Sequence, residues 1–127
     1  MFSKIKSKGK YMVLHSCGDL RPILGDLIDM GLDVYNTVQP EIYDLPTLKK
    51  EYGKDLTFWG AVSTQQFLPY ATTEEVYKKS IETLKVMASG GGYIFAPTHA
   101  VTNDIPVENI EAMIQAVKDF NGERYEV

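Results

Sequence analysis

The sequence predicts an α/β fold built from four successive strand–helix units. Two observations carry that reading. Four short apolar runs, Tyr11–Leu14, Leu32–Tyr35, Leu56–Val62 and Tyr93–Ala96, are each followed by a segment with helical spacing or helix-start residues. Glycines and prolines punctuate the junctions, at Gly31, Pro40, Gly53 and Gly90-Gly91-Gly92. Consecutive βα units imply parallel strands joined by right-handed crossovers. An open doubly wound sheet and half of an eight-stranded barrel both satisfy the pattern. A dinucleotide-binding domain does not, because no G-x-G-x-x-G follows the first strand. The triple glycine precedes a strand and reads as a helix stop.

Each element has a local reason. Residues 2–8 read as the tail of a helix. After the first strand, Leu20, Ile23, Leu24, Leu27 and Ile28 fall at helical spacing, with Asp19 as the expected N-cap and Gly31 as the stop. After the second strand, Pro40 marks a loop and a polar helix runs from Leu45 to Tyr52. Thr72-Thr-Glu-Glu75 forms a capping-box pattern ahead of Val76, Ser80, Ile81, Leu84 and Met87. Pro106 suits the first turn of the last helix, whose expected apolar stripe is Val107, Ile110, Met113, Ile114, Val117 and Phe120.

The chain has 127 residues, 44% of them hydrophobic and 24% charged, which suits one domain with a real core. Net charge is −4, and the only basic run, Lys4 to Lys10, reads as a solvated helix end. Nucleic-acid binding gains no support. One cysteine cannot form an internal disulfide, which fits a reducing compartment. No apolar stretch approaches the roughly 18 residues of a membrane span. The lysine-rich start has no apolar run behind it, so no secretory signal is expected. Cytoplasmic is the expected location.

The chemistry concentrates where strands end. The first strand runs into His15-Ser-Cys17-Gly18-Asp19, and the fourth into Ala96-Pro97-Thr98-His99. The carboxyl ends of strands are where an α/β barrel keeps its reacting groups. His15 and Cys17 are two apart, so on a strand they share a face. Imidazole and thiolate are zinc ligands. The bland reading is a buried cysteine and a hydrogen-bonded histidine. His99 is a third ligand, a substrate contact or a turn residue. Gln39, Glu41, Thr64 and Gln65 follow the second and third strands and are candidate polar contacts. Phe58, Trp59 and Tyr93 could stack a flat ligand, although barrel strands ordinarily pack such residues. Asp19 and Asp33 read as a helix cap and a strand-end residue rather than an acid–base pair.

Five ordered segments carry a family resemblance: His15-Ser-Cys-Gly-Asp-Leu20, Asp33-Val-Tyr-Asn-Thr-Val-Gln-Pro-Glu41, Phe58-Trp-Gly-Ala-Val-Ser-Thr-Gln65, Gly91-Gly-Tyr-Ile-Phe-Ala-Pro-Thr-His99 and Pro106-Val-Glu-Asn-Ile110. In order and spacing they resemble the C-terminal half of the uroporphyrinogen decarboxylase family, over nearly the whole chain. The resemblance implies a TIM barrel of which residues 1–127 are the last four βα units, with the first half absent. The family includes tetrapyrrole decarboxylases and corrinoid-linked methyltransferases. The methyltransferase branch has a zinc site of the form His-x-Cys…Cys. His15 and Cys17 match its first two ligands, and His99 stands where the third would be a cysteine. The decarboxylases carry a Gly-His-Gly segment near His99, whose histidine faces the tetrapyrrole.

The expectation drawn from this is zinc held by His15, Cys17 and His99, with His99 also the candidate catalytic residue and Gln39, Thr64 and Gln65 as substrate contacts. The implied reaction is methyl transfer involving a thiol and a corrinoid partner. The alternatives are decarboxylation of a tetrapyrrole, without metal, and a non-catalytic half barrel that assembles with itself or with its missing half.

Overall fold

A computed structural model describes residues 2–122. Helix α1 (Phe2–Lys6) leads into β1 (Val13–His15), α2 (Arg21–Asp29), β2 (Val34–Val38), α3 (Leu45–Tyr52), β3 (Thr57–Val62), α4 (Thr73–Met87), β4 (Tyr93–Pro97) and α5 (Val107–Phe120). The strands make one parallel sheet in the order β1-β2-β3-β4. A doubly wound sheet reverses its order to place helices on both faces. An unreversed order with right-handed crossovers puts every helix on one side, as in a barrel. The fold is therefore a partial TIM barrel.

Register divides the sheet into two faces. Leu14, Tyr35, Phe58 and Tyr93 lie in one row and face the helices. Tyr35 and Phe58 are fully buried there, with Leu24, Leu32, Leu48, Leu56 and Met87 around them. A second cluster of Val62, Leu68, Val76, Ile105, Ala112 and Met113 seats α4 and α5 against the end of β3. His15, Asn36, Trp59 and Ile94 form the adjacent row, on the opposite face. Val13, Trp59 and Ile94 are 47%, 37% and 42% exposed. Trp59 stands on this face, whereas Met12 is buried in the core and Phe95 packs on the second cluster.

The remaining departures have local causes. Asp19 does not cap α2. The N-cap is Leu20, without a side-chain bond, while Asp19 accepts the Arg21 N–H at 3.0 Å and its guanidinium at 2.6 Å. Strand β2 continues past Tyr35 to Val38 because it pairs with β3 through an irregularity between Asn36 and Val38. Gly60 is needed at that point, with φ of +131°. A Cβ there would come within 3.1 Å of Thr37 Oγ1 and 3.2 Å of the Val38 nitrogen. On α5 the buried residues are Asn109, Ala112, Met113 and Ala116, whereas Val107, Ile114 and Phe120 of the expected stripe are exposed. Pro106 takes the N-cap position, one residue earlier than expected. The Thr72–Glu75 capping box forms as read, with the Glu75 carboxylate accepting the Thr72 N–H at 2.7 Å. No helix among the described residues is long and apolar enough to cross a membrane.

Candidate metal centre at the strand ends

The site forms where β1 and β4 end. His15 is the last residue of β1, and its register partner on β2 is Asn36. His15 Nδ1 is hydrogen-bonded to Asn36 Oδ1. That leaves Nε2 directed toward Cys17 Sγ, 4.0 Å away. With bonds of about 2.0 Å to nitrogen and 2.3 Å to sulfur, two donors on a tetrahedral zinc ion stand about 3.5 Å apart. His15 and Cys17 thus fit one edge of such a site, and both are exposed to an incoming ion.

Cys17 is carried by a braced loop. Tyr43 Oη accepts the Leu20 N–H at 2.8 Å and donates to the Gly18 carbonyl at 3.0 Å. Tyr35 Oη donates to the Ser16 carbonyl at 3.2 Å, and Gln39 Oε1 accepts the Gly18 N–H at 2.9 Å. Burial, and then the neighbouring Tyr43 hydroxyl, push the Tyr35 phenol well above its usual range, so it stays a neutral donor.

His99 arrives from the other edge of the sheet. Its ring centroid is 5.9 Å from that of His15, with the planes at 75°. The residue before it fixes the loop. Thr98 N–H donates to the Val62 carbonyl at 2.8 Å, and Thr98 Oγ1 accepts the Thr64 N–H at 3.2 Å. The expected three residues are therefore brought together. Their donor atoms are not yet arranged around one point: among the described residues no group of three His, Cys, Asp or Glu side chains is gathered to hold an ion. His15 and Cys17 form the ready pair, and His99 stands beside it.

The expected substrate contacts divide. Gln39 spends its amide oxygen on the Gly18 N–H, and Thr64 is buried with its hydroxyl 3.2 Å from Thr98 Oγ1. Both brace the site. Gln65 is exposed and lines an open hollow of about 480 Å3 with Thr64, His99, Ala100, Thr102 and Asp104. Glu41 accepts a hydrogen bond from the Ser63 hydroxyl. Phe58 is core, and Tyr93 donates to the Gly60 carbonyl at 2.6 Å, which leaves Trp59 as the aromatic on the open face. Asp33 accepts from Lys6 Nζ at 2.7 Å and from the Met12 N–H at 2.7 Å, and these bonds hold its carboxyl below the usual range. Asp19 is held low by Arg21. Each aspartate has its own cation, so the two do not form an acid–base pair. Asn36, Tyr35, Tyr43 and Thr98 were not singled out by the sequence reading, because their roles depend on which strands lie side by side.

The parallel sheet with its strands in sequential order is the architecture of a partial α/β barrel. The uroporphyrinogen decarboxylase (URO-D) family model matches residues 1–120, and the chain belongs to that family. Among its relatives, the methylcobamide:CoM methyltransferase MtaA of Methanosarcina barkeri is 30% identical over 108 residues, covering 85% of this chain and 30% of that protein. The methylated-thiol–coenzyme M methyltransferase of Methanosarcina mazei is 25% identical over 114 residues, covering 90% and 29%. A solved structure of a methyltransferase from Methanosarcina mazei superposes with a TM-score of 0.75 at 26% identity, over 94% of this chain and 34% of that one. The chain spans about a third of the length of the relatives it matches.

Proposed function

We propose that this chain supplies the metal-holding end of a methyltransferase site, in which a methyl group passes between a corrinoid partner and a thiol. The observation that carries the reading is the placement of His15 Nε2 beside Cys17 Sγ at the mouth of the partial barrel. The names of the relatives, which specify methylcobamide, methylated thiols and coenzyme M, favour this chemistry over tetrapyrrole decarboxylation. Zinc at such a site acts as a Lewis acid that favours the deprotonated, nucleophilic form of a thiol at neutral pH.

His15 and Cys17 would hold the ion, with His99 either joining them or contacting the substrate. The Tyr35–Tyr43 pair and Gln39 keep the Cys17 loop in place. Gln65 and the hollow beside His99 offer polar contacts to a small substrate. Trp59 gives the open face a flat apolar surface. The rest of the substrate enclosure comes from barrel units outside these four, so activity belongs to the chain together with a complementary portion.

Metal analysis tests the reading. The chain should carry about one zinc per molecule, and Cys17→Ser and His15→Ala should each lose it. A weaker site in His99→Ala would make His99 the third ligand. Equal zinc content in wild type, Cys17→Ser and His15→Ala would overturn the proposal.

A further inference from the structure

We infer that Asn36 is a positioning residue that sets the tautomer of His15 and aims its free nitrogen at the metal position; the inference rests on the zinc reading above. Three observations on β2 point to it. Asn36 is the register partner of His15, so the two side chains rise from neighbouring strands on the same face. Its Oδ1 meets His15 Nδ1. Its Nδ2 donates to the Trp59 carbonyl at 3.4 Å.

The last contact decides the orientation of the amide. Turned the other way, Asn36 would set its carbonyl oxygen against the carbonyl oxygen of Trp59, two acceptors with no proton between them. With Oδ1 toward His15, the imidazole must donate, so the proton sits on Nδ1. Nε2 then keeps its lone pair, and that lone pair faces Cys17 Sγ at 4.0 Å. The opposite tautomer would place a hydrogen between the nitrogen and the ion. A metal-bound histidine commonly gives its other N–H to an oxygen acceptor, which fixes both ring orientation and tautomer.

The residue type has no better explanation in the sheet. Asparagine is disfavoured in strands. Its row-mates Trp59 and Ile94 and the next row's Val13 and Val34 are apolar, with Thr57 the polar member of that next row. A valine there would suit the strand and leave Nδ1 without a fixed acceptor.

Two measurements test the inference on the 127-residue chain. The first needs no metal. Long-range 1H–15N spectra of the metal-free wild type, taken well above the ordinary imidazole pKa of about 6.5, should show His15 protonated on Nδ1. Asn36→Leu should shift that population toward Nε2. The second is zinc affinity by competition with a chromophoric chelator. Asn36→Leu should weaken zinc about ten- to a hundred-fold, the usual effect of losing such an oxygen partner. Asn36→Asp, which also accepts from Nδ1–H, should restore most of the affinity.

A wild-type His15 protonated on Nε2 would overturn the inference, as would wild-type zinc affinity in a folded Asn36→Leu. If Asn36→Leu fails to fold, the wild-type spectrum and the Asp variant decide the matter. If the wild type binds no zinc, the metal reading falls. The spectra then judge Asn36 alone: a tautomer unchanged in Asn36→Leu refutes its role, and a shifted one upholds it.

Discussion

Thr98→Val tests how the end of β4 presents His99. The substitution keeps the shape of the side chain and removes one oxygen. That oxygen accepts the Thr64 N–H at 3.2 Å and lies 3.2 Å from the Thr64 hydroxyl, and both threonines are buried. Orphaning a buried N–H costs about 1–3 kcal/mol, and losing a neutral hydroxyl bond about 1 kcal/mol more. The extra apolar burial offsets somewhat less than about 1 kcal/mol. Both bonds sit at the long end of the ordinary range, so the expected loss is about 2 kcal/mol. For a chain of this size that corresponds to a fall in Tm of about 8 °C. Urea unfolding followed through Trp59 fluorescence measures it, with Thr98→Ser as the control that keeps the acceptor and loses about 1 kcal/mol of packing. The His99 ring resonances should move in the valine variant and stay in the serine variant. A valine variant within about 0.5 kcal/mol of wild type would refute the reasoning, because the Thr64 N–H would then have found another partner at no cost.

Asp33 should give stability an acid-sensitive component. Its folded pKa lies below the ordinary value of 3.8, held down by Lys6 and the Met12 N–H. The contribution is therefore fully present above 3.8 and is lost as pH falls through the lower folded value. Asp33→Asn should cost up to about 1 kcal/mol near neutral pH, a modest figure because the Lys6 partner is well exposed. That difference should shrink in acid, and an equal difference at both pH values would contradict the assignment. The chain should also self-associate or bind a complementary portion, because β1 and β4 are edge strands and Val13, Trp59 and Ile94 face outward beside them. Sedimentation at micromolar concentration checks this, and a single cooperative species at 14.3 kDa would count against it.

The alternation of strands and helices was legible because its signals are local. Apolar runs, the Thr72–Glu75 box and the glycine stops each act within a few residues; the box forms as read and every run seeds a strand, although β1 and β2 each begin two residues later and run past the expected ends. What could not be read depends on neighbours distant in sequence. The end of β2 is set by pairing with β3 at Val38 and Gly60. Asn36 looks like any polar residue on an alternating strand until the register puts it opposite His15. Thr98 looked like part of a histidine-bearing turn, and its importance lies in Thr64, 34 positions earlier. On α5 the apolar residues outnumber what one face can bury. The close helix contact then went to the small residues Ala112 and Ala116 and to Asn109, whose amide donates to the Leu68 and Ala71 carbonyls at 2.8 and 2.9 Å.

The way each candidate ligand is supported says which part of the function these four units carry. His15 is held by the next strand through Asn36. The Cys17 loop is held by Tyr35 on the next strand and by Gln39 and Tyr43 in the loop after it. His99 is held through Thr98 by the loop after the preceding strand. In each of these contacts the support comes from an adjacent βα unit. The helix-facing row of the sheet is likewise filled by the chain's own core. Among the described residues the opposite face has no comparable cover, and the site opens onto that side with His15, Cys17 and His99 all exposed. Aiming the ligands is thus a property of the local register, whereas excluding water and enclosing a substrate are not. Zinc binding and methyl transfer should separate experimentally for that reason. The metal site should form in this chain by itself, and turnover should wait for the units that close the barrel.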